Sequence, residues 1–458
     1  MGRTVLDVLQ AARIYVEAPC GGAGTCGKCL VQVNGVPCLA CQTQEVAGAD
    51  VRVGHSSNFT VLEIPTVEFN EGANFGLAVD IGTTTIAFAL VDLERGQPVF
   101  SYGMVNSQRA LGADVISRIK AADDGKFGIL NELVLKDILL GITYVCEKVK
   151  ISANTIKKMY VAGNTTMLHI LMNVSVHSLG QFPFTPVFIN LQCKPFDEIF
   201  KTDLLNCDVT LLPGISTYVG ADVAAGILYC DSFDESAEYM LVDLGTNGEL
   251  ALFTEGNLTG TATAAGPAFE AGNISCGVGS IPGAIYKAKY ESNKLKFETI
   301  DGMNPVGICG SGLLDIAAQL AANEIIDEAG GLDDDITIAP GIIFTQKDVR
   351  ELQLAKSAVR AGIEILLEEN GGKLKKLYLA GGFGHNLNLE SAVALGILPN
   401  NIEVQTVGNS SLAGCVLAIS DETAIKKLVE LTARAREINL SAHPRFNDLF
   451  MDYMMFEN

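Results

Sequence analysis

Gly76-Leu-Ala-Val-Asp80-Ile-Gly82-Thr83-Thr84-Thr85 returns 163 residues later as Tyr239-Met-Leu-Val-Asp243-Leu-Gly245-Thr246-Asn247-Gly248. Both copies run an apolar strand into an Asp and then a glycine turn rich in hydroxyl and amide side chains. A carboxylate at a strand end can hold a hydrated Mg²⁺, and glycine lets backbone N–H groups and threonine hydroxyls close on phosphate oxygens. One such turn alone reads equally as a polar hairpin. Two of them, on matching strands, predict two facing halves that grip one polyphosphate.

A second echo supports duplication. Lys158-Met-Tyr-Val-Ala162 leads into Gly163-Asn-Thr-Thr-Met-Leu168, and Val404-Gln-Thr-Val407 leads into Gly408-Asn-Ser-Ser-Leu412. In each, an Asn or a hydroxyl side chain stands ready to cap the free N–H groups of a helix. The second half adds Ala264-Ala-Gly-Pro-Ala-Phe-Glu270 and Gly307-Ile-Cys-Gly310-Ser311-Gly312, the latter opening a helix whose N-terminus attracts anions. Thr345-Gln-Lys-Asp348 is a capping-box variant that starts a helix burying Val349, Leu352, Val359, Ile363 and Leu366. The strand Lys375–Ala380 then delivers Gly381-Gly382-Phe-Gly384, where bare backbone would accept a flat base. In the first half, a helix from Gly112 to about Ala122 is expected to turn Val115, Ile116 and Ile119 inward, with a longer one from Leu130 to Val149.

Composition narrows the class. The 458 residues are 48% hydrophobic, enough for two to four cored units, and no apolar run approaches the roughly 18 residues of a membrane span. The N-terminus lacks a basic and then apolar signal pattern, so a cytoplasmic location is expected. A net charge of −21 argues against nucleic acid or an anionic membrane as partner. Oligomeric state is left open, a homodimer included.

Five of the twelve cysteines fall between Cys20 and Cys41. Cys146, Cys193, Cys207, Cys230 and Cys415 read as small buried hydrophobes. The cluster, Cys20-Gly-Gly-Ala-Gly-Thr-Cys26-Gly-Lys-Cys29 followed by Cys41, approaches the spacing that holds a [2Fe–2S] centre. Its glycines let the loop turn N–H groups toward the sulfurs. Cys20, Cys26, Cys29 and Cys41 are the expected ligands and Cys38 the spare. Structural zinc, the competing reading, usually needs two short C-x₂-C pairs where this stretch has one.

This segment resembles a ferredoxin, although only 19 residues precede Cys20, so the first hairpin of that fold is expected to be missing. Residues from Gly76 onward resemble the actin, sugar-kinase and heat-shock ATPase superfamily. Asp80-Ile-Gly-Thr-Thr and Asp243-Leu-Gly-Thr-Asn-Gly match its two phosphate motifs, and Leu379-Ala-Gly-Gly-Phe-Gly-His-Asn386 its adenosine motif. The expected fold is therefore α/β, two RNase H-like lobes behind a small α+β ferredoxin-type domain. The expected division is residues 1–55 for the partial ferredoxin, 56–75 for a linker, 76–238 and 239–407 for the lobes, and 408–458 for a connecting helix and a tail returning to the first lobe. The helices at 163–172 and 408–419 resemble the superfamily's two connecting helices, which places the hinge at Gly163 and Gly408.

Together with Asn106-Ser-Gln108, Gly112-Ala-Asp-Val-Ile-Ser-Arg118, Gly220-Ala-Asp-Val-Ala, Gly266-Pro-Ala-Phe-Glu and Gln346-Lys-Asp348, the chain resembles the ATP-dependent reductive activators of corrinoid proteins. Members of that family often carry a further domain between ferredoxin and ATPase, for which this connector leaves no room. The resemblance implies one-electron reduction of Co(II) corrinoid to Co(I) for a methyltransferase system, fed by a low-potential electron donor. It implies ATP, Mg²⁺ and a [2Fe–2S] cluster as cofactors. Asp80 and Asp243 would hold Mg²⁺. Gly82, Thr83, Thr84, Thr85, Gly245, Thr246, Asn247, Gly310 and Ser311 would cradle phosphates, and Gly381, Gly382 and Gly384 would flank adenosine. Glu249 and Glu270 are candidates to position the attacking water, though each reads equally as a solvated carboxylate. Two other classes stay open at this level, a small-molecule kinase with a redox sensor and an electron carrier that does not hydrolyse nucleotide.

Overall fold

The computed structural model describes residues 3–11, 16, 29–45, 48–53, 69–70, 72–230, 234, 236–245, 247–292, 294–381 and 387–456. The expected ligands Cys20 and Cys26, the body of the linker, Thr246, Gly382, Gly384 and His385 lie outside them. Near the N-terminus, helix α1 (Val5–Ala11) buries Val5, Leu6 and Leu9 over a three-stranded sheet. That sheet has the order β2-β1-β3, from β1 (Leu30–Val33), β2 (Val36–Leu39) and β3 (Val51–Val53). Asn34 and Gly35 turn the β1–β2 hairpin with positive φ at both positions, as a tight two-residue turn requires.

The chain divides into two compact units. The first holds β4 (Phe75–Ile81), β5 (Thr85–Asp92) and β6 (Gln97–Val105), then α2 (Val115–Ala121), α3 (Phe127–Val149), β7 (Ile156–Gly163), α4 (Thr165–Leu171), β8 (Gln192–Pro195), α5 (Phe196–Phe200), β9 (Asp208–Leu211) and α6 (Ala221–Tyr229). Its strands line up as β6-β5-β4-β7-β9-β8. β4 is the central strand and buried at every position, because helices cover both of its faces.

The second unit repeats this plan. It starts with β10 (Glu238–Leu244), β11 (Gly248–Thr254) and β12 (Asn257–Thr263) and carries a small sheet of β13 (Ala284–Glu291), β14 (Lys294–Thr299) and β15 (Gly307–Ile308). Next come α7 (Gly310–Ala322), the hairpin β16 (Ile336–Ala339) and β17 (Ile342–Phe344), α8 (Gln346–Glu369), β18 (Lys376–Ala380), α9 (Leu389–Ala394) and β19 (Glu403–Gly408). Thr345 and Asp348 close the capping box at the start of α8, and the five apolar residues expected on its buried stripe are all fully buried. The chain then runs through α10 (Ser410–Ser420), α11 (Glu422–Arg434), β20 (Arg436–Glu437) and α12 (Phe446–Asp452). The second sheet has the order β19-β18-β10-β11-β12-β20.

Several expectations change. Topology makes β4 equivalent to β10, β7 to β18 and β9 to β19, so the partner of α10 is α6, which follows β9, and not α4. The chain passes between units at Tyr229/Cys230, Ser410/Ser411 and Ala433/Arg434, and Gly163 lies inside the first unit. The C-terminal stretch also divides: Ser411–Ala433 joins the first unit, whereas Arg434–Asn458 stays with the second, where β20 extends the edge of β12. Ile116 is 61% exposed because α2 begins at Val115, capped by Asp114, which shifts the buried face onto Arg118, Ile119 and Ala121. Cys230 and Cys415 are buried as expected, but Cys193 is exposed on the edge strand β8.

Candidate nucleotide and redox sites

In the first unit the loop after β4 is held from several sides. Gly82 N–H donates to the Thr85 carbonyl at 2.9 Å, which closes the turn on itself, and a Cβ on Gly82 would lie 2.8 Å from that oxygen. Asn106 donates through Nδ2 to the Gly82 carbonyl at 2.9 Å, while its own N–H reaches the Thr84 carbonyl at 3.0 Å. Asn164 caps α4 through Met167 N–H at 3.0 Å and gives its Nδ2 to Thr83 Oγ1 at 3.2 Å. Behind the loop, Arg118 is fully buried. It donates to the carbonyls of Thr83 and Gly112, to Gln108 Oε1 and to Met167 Sδ. A buried guanidinium with a fork of donors fixes several carbonyls at once.

Asp80, at the carboxyl end of β4, is 9% exposed and accepts the Ser411 hydroxyl at 2.7 Å. Asp222, in the first turn of α6, has its carboxyl pushed up to about 7, first by burial and then by the neighbouring Asp80 carboxylate. Two carboxylates drawn into one site in this way suit a divalent cation. Asn106, Arg118 and Asp222 stand in sequence matches quoted above without a role, and Ser411 stood in the second Gly-Asn echo.

The second unit repeats the arrangement around Asp243. Gly245 N–H donates to the Asn247 carbonyl at 3.1 Å, and Glu249 is the direct cross-strand neighbour of Asp243. Gly381 has φ +101°, and a Cβ there would sit 2.6 Å from the Leu244 carbonyl oxygen and 2.8 Å from Asp243 Oδ1. Gly163 meets the Ile81 carbonyl in the same way, with a hypothetical Cβ at 2.9 Å. Gly163 and Gly381 are thus the duplicated pair, each lying against the residue that follows the strand-end aspartate. Gly310 and Ser311 are buried in the first turn of α7, which packs on β13: Gly312 abuts the Ile285 carbonyl, and Ser311 Oγ lies 3.3 Å from Cys309 Sγ. Glu270 is exposed at the end of a short turn.

Of the expected iron ligands, Cys29 and Cys41 are brought together, with Sγ atoms 3.2 Å apart and Cys41 N–H 3.4 Å from Cys29 Sγ. Cys38 sits on β2, in register with Val31. Among the described residues no group of three or more His, Cys, Asp or Glu side chains forms a metal site. None of their helices is long and apolar enough to cross a membrane.

Residues 75–235 match the family profile of the RACo middle region, and residues 237–458 match that of the C-terminal domain of RACo, the ASKHA domain. The corrinoid activation enzyme RamQ of Eubacterium limosum is 30% identical over 438 residues, 88% of this chain and 73% of that protein. The chain belongs to the RACo family. A further relative, the [Co(II) methylated amine-specific corrinoid protein] reductase of Methanosarcina barkeri, is 25% identical over 415 residues, 82% of this chain and 76% of that protein. Among solved structures, a reductive activator for a corrinoid, iron-sulfur protein matches with a TM-score of 0.75 at 26% identity, covering 99% of this chain and 95% of that one. The second copy of the duplicated α/β plan falls within the match to the ASKHA domain, and the first within the match to the RACo middle region.

Proposed function

We propose that this RACo-family protein is an ATP-dependent reductive activase, which returns an inactive Co(II) corrinoid protein to Co(I) and so reactivates a methyltransferase system. The observation that carries this reading is the likeness of nearly the whole chain to a reductive activator, joined to relatives that act on corrinoid proteins.

The residues assign themselves to tasks. In the first unit Gly82, Thr83, Thr84 and Thr85 are the phosphate-binding residues; in the second, Gly245, Thr246 and Asn247 take that task, and Gly381, Gly382 and Gly384 flank the adenosine. Asp80, with Asp222 beside it, would hold Mg²⁺ in the first unit, and Asp243 would do so in the second; the crowding of the first two carboxylates is what a cation would relieve. Glu249, paired with Asp243, is better placed than the exposed Glu270 to orient a water. Cys20, Cys26, Cys29 and Cys41 would hold the [2Fe–2S] cluster. The nearness of Cys29 and Cys41 and the N–H directed at sulfur fit that donor set. When bound, the cluster supplies one electron at a time from a low-potential donor. Electron transfer to a Co(II) corrinoid is uphill, each ~59 mV costing about a factor of ten, and ATP binding and hydrolysis offset that cost.

The test is direct. The reduced, cluster-loaded protein is mixed with a Co(II) corrinoid protein, with and without MgATP, and the corrinoid absorption spectrum is followed. Co(I) formation that needs ATP supports the reading; reduction indifferent to ATP, or steady phosphorylation of a metabolite instead, overturns it.

A further inference from the structure

Helix α10 lies along the central strand β4 with one stripe of its surface. Ser411, Cys415 and Ile419 are four residues apart and so share a helix face. The Ser411 hydroxyl donates to Asp80 Oδ1 at 2.7 Å, and the Cys415 thiol donates to the Val79 carbonyl at 3.9 Å. Ile419 then packs so closely over Gly76 that a Cβ on the glycine would fall 2.6 Å from Ile419 Cδ1. Three contacts in order along β4 fix where the serine points. A serine in a helix commonly turns its hydroxyl back on a carbonyl one turn earlier, as Ser420 of the same helix does to Val416 at 2.7 Å. Ser411 instead reaches a carboxylate 331 residues away in sequence, and both side chains are buried.

Duplication explains how two helices come to serve one carboxylate. α6 and α10 follow the equivalent strands β9 and β19. Asp222 is the second residue of α6 and Ser411 the second of α10; Ala225 and Gly414 are the fifth of each, and there Gly414 meets the Ala225 carbonyl. A crossing at the fifth residues brings the second residues, one turn earlier, to a common neighbour. That neighbour is Asp80, whose charge raises the Asp222 carboxyl and whose Oδ1 accepts the Ser411 hydroxyl. At matching helix positions one copy thus supplies a second carboxylate and the other a neutral donor.

We propose that Ser411 is a positioning residue for the cation of the first unit: its hydroxyl pins one oxygen of Asp80, so that the carboxylate keeps a fixed orientation toward Mg²⁺. The inference rests on the reading of Asp80 as a magnesium carboxylate. A carboxylate that binds a metal can turn about its own side-chain bonds, and a hydrogen bond that stops this turning is worth about 10–100-fold in metal affinity. The hydroxyl brings no charge and touches Asp80 and not a phosphate-loop residue. Its effect therefore falls on metal affinity and spares the metal-free binding of nucleotide.

The test uses the full-length protein, a non-hydrolysable ATP analogue and Mn²⁺, whose electron paramagnetic resonance signal separates bound from free ion. Ser411→Ala removes one oxygen atom, and with the analogue present it binds Mn²⁺ about tenfold or more weakly than wild type. Titration calorimetry of the analogue in EDTA gives the same affinity for both proteins. Wild-type Mn²⁺ affinity in Ser411→Ala overturns the positioning role. An equal loss of analogue binding with and without the metal also overturns it, because the serine then matters only to the packing of α10. Asp80→Asn is the reference. If it binds Mn²⁺ as wild type does, Asp80 is no cation ligand and the reading beneath this inference falls with it; if it binds weakly while Ser411→Ala binds normally, the inference alone is lost.

Discussion

Gly414 of α10 lies so close to Ala225 of α6 that a Cβ on the glycine would fall 1.8 Å from the Ala225 carbonyl oxygen. These are the helices that follow the equivalent strands β9 and β19, and both residues belong to the first unit. Only a bare backbone allows such an approach. Gly414→Ala is expected to force the two helices apart and to destabilise the protein by about 3 kcal/mol, the upper end for overpacking. Urea unfolding measures it, and a variant within ~0.5 kcal/mol of wild type refutes the close crossing.

Arg118 makes a second prediction, because its burial behind Thr83 gives it a task beyond charge. Arg118→Lys keeps the positive charge but replaces a rigid fork by a single ammonium, which cannot serve the Thr83 and Gly112 carbonyls and Gln108 together. The loop loosens and ATP affinity falls by about tenfold, ~1.4 kcal/mol. Calorimetric titration with ATP reads this directly. If a folded Arg118→Lys binds ATP as wild type does, the loop does not depend on Arg118.

Much of this architecture was legible because apolar strands, aspartates and glycine turns have local signatures. The strands β4 and β10 that end in Asp80 and Asp243, the Thr345 cap and the buried stripe of α8 stand where pattern and capping chemistry put them. The pairing of the two halves was harder. Gly163-Asn-Thr-Thr and Gly408-Asn-Ser-Ser look alike since a helix that starts directly after a strand favours small, hydroxyl and amide residues at its first turn, but only sheet order shows that Gly163 corresponds to Gly381. Arg118 was hidden for a related reason: a single arginine in a short amphipathic helix looks solvated until the Asp114 cap fixes which face turns inward. Asp222 gave no sign either, as its environment depends on Asp80, far away in sequence.

Asp137 predicts a pH dependence. It is 2% exposed and accepts Ser107 N–H at 2.7 Å and the Ser107 hydroxyl at 2.8 Å, yet burial outweighs these bonds and raises its carboxyl to about 6 from an ordinary 3.8. The folded state thus binds this proton more tightly than the unfolded state. Its contribution to stability is fully present below pH 3.8 and is lost as pH rises through about 6. Asp137→Asn keeps the shape and can still accept the Ser107 N–H without the buried charge. Relative to wild type it gains stability above pH 6, by at most roughly 3 kcal/mol for a shift of this size, and the gain vanishes toward pH 4. Unfolding curves at four pH values measure the trend, and a pH-independent difference contradicts it.

Gly381 tests the second unit. At φ +101°, with the Leu244 carbonyl 2.6 Å from where a Cβ would stand, alanine is excluded by both conformation and space. Gly381→Ala must displace β18 from the end of β10 and disturb Asp243. Nucleotide affinity should fall by tenfold or more, whereas Gly372→Ala, at a turn with nothing within 4 Å, should leave it unchanged. Equal affinities in the two variants remove Gly381 from the site.

The last turn of the chain is fastened by Lys356 in the middle of α8. Its ammonium, 1% exposed as a residue, donates to the carbonyls of Tyr453 and Met455 at 2.6 Å each and lies 5.1 Å from the centre of the Phe456 ring. Gln353, one turn earlier, gives its amide to the Met454 carbonyl at 2.6 Å, and Phe456 N–H donates to the Glu328 carbonyl at 2.8 Å. Three successive carbonyls, those of Tyr453, Met454 and Met455, are therefore held by two side chains of one helix. Lys356→Met fills the same volume but leaves the Tyr453 and Met455 carbonyls without this donor, at about 0.5–1.5 kcal/mol for each hydrogen bond lost. The tail should detach before the rest of the second unit unfolds, since α8 keeps its own apolar stripe. Limited proteolysis should then cut near the C-terminus of Lys356→Met under conditions that leave wild type intact, with the main melting transition lowered by only a few degrees. A tail as resistant as in wild type shows that apolar burial of Phe456, not the lysine, holds it.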